Sequence, residues 1–124
     1  MVTKAMLNAY LEAAVWSSTS DEIADGSAPG SFTEQARARA VADIEKFIAI
    51  PGVNEALDND NLVFRTEWSF AEQAGHDLWL TRNGHGCGFW DGDWKEPAAT
   101  LLTAAAKSLG ECFVVATVGG LDLV

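Results

Sequence analysis

The chain has 124 residues, 48% of them hydrophobic, and its 18 acidic and 8 basic side chains give a net charge of −10. That length reads as a single domain, residues 1–124, able to bury a core without disulfide or metal staples. The charge argues against direct contact with nucleic acid, no apolar run is long enough for a membrane span, and the start lacks a charged-then-apolar secretion signal.

In chain order, Thr3 is placed to open a helix whose stripe is Met6, Leu7, Tyr10, Leu11, Ala14 and Val15, the i, i+3, i+4 steps of an amphipathic helix. Residues 17–30 mix Ser, Asp, Gly and Pro and read as a loop. Ser31 to Glu34 has the spacing of a capping box, which predicts a second helix with Val41, Ile44, Phe47 and Ile48 buried and Pro51-Gly52 beyond its end. Arg37 and Arg39 fall toward its polar side. Residues 53–61 suggest a short helical turn followed by a polar break, and Leu62 to Phe64 a short strand or a buried connector. Ser69 to Glu72 is a second capping box, and Gly75 is placed to stop the helix after one or two turns.

Residues 75–91, Gly-His-Asp-Leu-Trp-Leu-Thr-Arg-Asn-Gly-His-Gly-Cys-Gly-Phe-Trp-Asp, concentrate more chemistry than any other stretch, including both histidines. Asn83-Gly84 is a strong type I′ turn signal and predicts a β-hairpin. Its register sets Arg82 opposite His85, Leu80 opposite Cys87, Leu78 opposite Phe89 and His76 opposite Asp91. Trp79 then lies across from Gly88, with its indole covering bare backbone. At about 3.3 Å per residue the histidines stand roughly 20 Å apart, too far to share a metal. Trp68, Trp79, Trp90 and Trp94 gather around this hairpin, and in so small a domain some should remain part-exposed.

After the hairpin, Pro97 suits the first turn of a helix with stripe Leu101, Leu102, Ala105 and Leu109, ended by Gly110. Cys112 to Val118 is apolar and β-branched, and Gly119-Gly120 turns it into a strand from Leu121 to Val124. The expected architecture is α+β: N-terminal helices, then antiparallel β-hairpins of about four strands with one intervening helix.

No nucleophile elbow, dinucleotide fingerprint or phosphate cradle is present, so no catalytic residue, metal or cofactor is assigned. Cys87 and Cys112 read as reduced core thiols. The candidate binding residues are the polar ends and tip of the hairpin: His76 with Asp91, a pair that could also act in acid–base chemistry, then Arg82, Asn83 and His85, with Trp90 as an aromatic anchor.

Residues 75–91 resemble a signature of short tailed-bacteriophage and prophage proteins, Gly-His-Asp-Phe-Trp-Leu-Thr-Arg-Asn-Gly-His-Gly-Ala-Gly-Phe-Trp-Asp, departing from it at Leu78 and Cys87. Tyr10 to Trp16 is similar to that family's N-terminal helix, and Leu101 to Gly110 to the helix after the signature; the likeness is weakest from Ser17 to Leu62. The resemblance implies a phage or prophage origin and action in the cytoplasm of the bacterial host, without implying a reaction. The expectation is therefore a non-enzymatic accessory protein that binds and inhibits a host protein or nucleoprotein complex, for example an anti-CRISPR or anti-restriction factor. It leaves a homodimer open and expects no membrane partner. The alternatives are a small enzyme or nucleotide-binding protein using His76, Asp91, Arg82 and His85, and a virion structural or assembly component.

Overall fold

The structure, a computed structural model, describes residues 3–18, 32–63, 69–85 and 87–124. Among them are five α-helices, one 3-10 turn and a two-stranded antiparallel sheet. The α+β class holds, with two strands instead of four.

Helix α1 spans Lys4–Trp16, and the Thr3 side chain caps it by accepting from the Met6 amide at 3.1 Å. Its buried face carries Met6, Tyr10, Leu11 and Ala14, as the periodicity predicts, and also Ala9 and Ala13. Helix α2 spans Glu34–Ile48, capped by Thr33, whose hydroxyl accepts from the Ala36 amide at 3.1 Å. The cap therefore lies two residues beyond the predicted Ser31, which is outside the described residues, as is the loop from 19 to 30. Ile44 and Phe47 are buried as expected. A short helix α3, Val53–Ala56, and a 3-10 turn, Asn59–Asn61, fill the predicted turn region. Leu62 forms a single bridge to Trp94, and Phe64 lies outside the described residues.

The main correction falls on the predicted hairpin. Residues Phe70–Arg82 form helix α4, opened by the expected capping box of Ser69 and Glu72. Gly75 does not stop it. A Cβ there would collide with the Met6 carbonyl oxygen of α1, so the missing side chain lets the two helices cross at close range. Their packing is the most extensive between any two elements among the described residues. Asn83-Gly84 is the helix C-terminus: Gly84 has φ +70, its N–H donates to the Thr81 carbonyl at 3.2 Å, and the His85 N–H donates to Leu80 at 3.0 Å. Those paired bonds are a Schellman cap, which needs a left-handed residue just as a type I′ turn does. The same dipeptide satisfies both, and the helix wins because its interior is buried on nearly every side. Leu78, Trp79, Leu80, Thr81 and Arg82 are all buried in succession. A helix enclosed all round loses the 3.6-residue stripe that would reveal it in sequence.

Helix α5, Ala98–Ser108, follows Pro97 as predicted, burying Leu102, Ala105 and Ala106, while Leu101 stays on the surface. Strands β1, Val114–Thr117, and β2, Gly120–Leu123, pair antiparallel, Val114 with Leu123 through Thr117 with Gly120. Leu121 also bridges Phe32, and its carbonyl accepts from the Thr33 amide at 2.9 Å. No helix among the described residues is long and apolar enough to cross a membrane.

Candidate functional site

Arg82 is the centre of this region, and it is not at an exposed tip. Only 4% of it is exposed. Its Nε donates to the Gly110 carbonyl at 2.8 Å, Nη1 to the Tyr10 hydroxyl and to Asp43 Oδ2, each at 2.8 Å, and Nη2 to the Leu109 carbonyl at 3.2 Å. One guanidinium thus joins α4 to α1, α2 and the end of α5. The two carbonyls lie just past the C-terminus of α5, where the helix dipole favours a cation. Only a planar fork with several donors can satisfy four acceptors at once. Burial alone works against the Arg82 charge, but Tyr10 and Asp43 outweigh it and hold its pKa above the ordinary value. Burial likewise pushes the Tyr10 phenol far above its usual range, despite the opposing Arg82 charge.

The neighbouring polar groups of α4 are committed in the same way. Asp77, 2% exposed, accepts from the Trp94 indole at 2.7 Å and from the Gln73 amide at 2.9 Å. The Thr81 hydroxyl accepts from the Phe89 amide at 3.0 Å, tying the following loop to the helix. Asn83 donates to the Trp79 carbonyl at 3.0 Å and accepts from the Cys112 amide at 2.8 Å. Trp79 lies edge-on to Tyr10 and donates its indole N–H to the Ser17 hydroxyl at 2.8 Å. Phe89 stacks on Phe47 and meets Trp94 edge-on. The side chain beside Gly88 is Thr81, not Trp79: a Cβ on Gly88 would strike the threonine hydroxyl.

Gly88 and Phe89 are buried, and the exposure rises at Trp90. Asp91 accepts from the Gly88 amide at 3.2 Å and is exposed, and Trp90 is 51% exposed. Trp90 forms one wall of an open hollow of about 350 Å³ on the outer side of α5, with Glu96, Thr100, Thr103 and Lys107. Of the other tryptophans grouped with it, Trp79 and Trp94 are buried and Trp68 is outside the described residues. Burial and then Asp91 raise the Asp93 pKa, with Asp77 adding to the effect and His76 opposing it. Burial, aided by the same three aspartates, raises the Cys87 thiol, and burial raises Cys112. Both cysteines are unpaired and shifted away from the reactive thiolate.

The sequence-derived site is therefore divided. His76 lies on α4, with Nδ1 at 3.8 Å from Asp77 and its ring against Trp16, so the cross-strand pair with Asp91 does not form. His76 lines a hollow with Glu12, Ala13 and Trp16, whereas His85 lines a different one with Trp79, Asn83 and Cys112. Arg82 and Asn83 are structural. Trp90 and Asp91 remain on one accessible surface. The Arg82 partners Tyr10 and Asp43 are the residues that sequence reasoning missed; the only local hint is the i, i+4 pair of Arg39 and Asp43, 3.6 Å apart. No family model, curated protein or solved structure matches the chain.

Proposed function

We propose that this is a non-enzymatic phage accessory protein that binds and inhibits a host bacterial protein complex, with Trp90 at the centre of the contact. The supporting observation is the contrast in exposure within one motif. Asp77, Arg82 and Thr81 are enclosed and bonded, while Trp90 leaves half of its surface in water beside Asp91 and Glu96. A half-exposed indole next to a hollow is the usual anchor of a protein–protein contact. The net charge of −10 fits a basic partner surface.

The test is capture from bacterial lysate at low and high salt, using the wild type and Trp90→Ala. The expected result is a host protein retained at low salt, weakened by added salt, and lost with the alanine variant although that variant remains folded. Failure to recover any host protein at low salt, or equal recovery by the variant, would overturn the reading.

A further inference from the structure

Three of the eight large apolar side chains exposed among the described residues, Phe113, Val118 and Val124, lie on the C-terminal hairpin, so exposed apolar surface is concentrated there. β2 is covered on its outer side by the bridge to Phe32, whereas β1 is the free edge of the sheet among the described residues. Phe113 and Val124 exchange backbone bonds at 2.9 Å, which makes them a narrow pair of the ladder. By alternation, Val115 also bonds inward to β2, and Val114 and Ala116 turn their N–H and C=O groups outward. The neighbouring outward amide, that of Cys112, is taken by Asn83; those of Val114 and Ala116 have no partner among the described residues. Such an edge is ordinarily blocked by charge or proline. Here Cys112 to Leu121 contains neither.

We infer that β1 pairs with β1 of a second copy, antiparallel about a two-fold axis through Val115, to form a continuous four-stranded sheet. The edge is self-complementary: Val114 meets Ala116 of the other copy, and each supplies one donor and one acceptor. Val115 then faces its own counterpart in a non-hydrogen-bonded pair, where β-branched side chains come closest. Phe113 lies across from Thr117, extending the apolar contact over the face that also carries the exposed Val124.

Charge does not oppose a copy of this chain at this edge. Two molecules of net charge −10 repel overall, but the segment from Cys112 to Leu121 carries no ionised side chain. The nearest acid, Asp122, sits beside Val115 on β2. Its counterpart would be three strand spacings away, about 14 Å, beyond the roughly 8 Å screening length of physiological salt. A contact of one short edge is small, under about 1,200 Å², so the dimer should be reversible. This inference does not depend on the host-binding reading.

Sedimentation velocity across micromolar to millimolar concentration tests it, with circular dichroism to confirm folding. The wild type should pass from monomer to dimer, and Val115→Lys and Val115→Glu should each remain monomeric. An equimolar mixture of the two variants should regain the dimer, because opposite charges then meet on the axis; a merely unfolded variant could not be rescued so. A wild type that is monomeric throughout, a dimer that persists in both variants, open-ended oligomers, or a mixture that stays monomeric would each overturn it.

Discussion

The two halves of the motif at residues 75–91 behave differently although their composition is alike. From Gly75 to Asn83 the chain is helical, and its aspartate, threonine, arginine and asparagine are bonded inside the protein. From Gly88 to Asp91 it is a loop that buries Phe89 but leaves Trp90 and Asp91 in solvent. Residue types that often build active sites can equally be the parts that close a core. What separates the two uses is whether their hydrogen-bonding capacity is already filled, because a filled donor set has nothing left to offer a ligand.

The largest break in this comparison should come from Arg82→Ala. It leaves Asp43 with Arg39 alone and strands the Tyr10 hydroxyl and the Leu109 and Gly110 carbonyls, at a cost of about 3 kcal/mol or more in denaturant unfolding. Arg82→Lys should recover only part of this, since a single ammonium cannot reach all four acceptors. A loss within about 0.5 kcal/mol for the alanine variant would return Arg82 to the surface.

Gly75→Ala comes next. In an open helix this change gains up to about 1 kcal/mol, but here the new methyl meets the Met6 carbonyl. The expected outcome is a loss of roughly 1–3 kcal/mol, as for overpacking elsewhere. A raised melting temperature would contradict the close crossing of α1 and α4.

In the loop half, Trp90→Ala should cost no more than about 1–2 kcal/mol, because half of the indole is already in water. A calorimetric melt lowered as far as that of Arg82→Ala would erase the distinction between the halves.

The smallest expected effect concerns Asp93, whose folded pKa lies above its ordinary 3.8 through burial and the neighbouring aspartates. Between the unfolded and folded values the folded state holds the extra proton, so stability falls as pH rises through that window and stays lower above it. Asp93→Asn should therefore raise the melting temperature slightly at neutral pH, with the gain disappearing on acidification below about pH 3.8. A variant less stable than wild type at neutral pH would reverse the sign.

The amphipathic elements were legible in the sequence. Of the predicted stripes, Met6, Tyr10, Leu11, Ala14, Ile44 and Phe47 are buried where the spacing places them, while Leu7, Val15, Val41 and Ile48 are only half-buried, and Thr3, Ser69 and Glu72 cap as written. The start of α4 was legible from its capping box, but its continuation past Gly75 was not, because burial on nearly every side removes the helical period and leaves an apolar run that alternates well enough for a strand. Asn83-Gly84 could not arbitrate, since a Schellman cap and a hairpin turn both demand a left-handed residue. The site suffered from the same error. With α4 read as a strand, Arg82 falls at a solvent-exposed tip, and its partners Tyr10 and Asp43, 72 and 39 residues away, leave no local trace. That some of the four indoles would stay exposed was legible from their number in so small a core, but not that Trp90 would be one of them while Trp79 and Trp94 are buried.

The most direct test is a double-mutant cycle between Arg82→Ala and Asp43→Ala, read by urea unfolding. If the guanidinium is the buried link between α4 and α2, the two losses should be non-additive, with a coupling of about 1–3 kcal/mol. Losses that simply add, within about 0.5 kcal/mol, would mean that the two side chains do not meet and that residues 75–91 are not organised around Arg82.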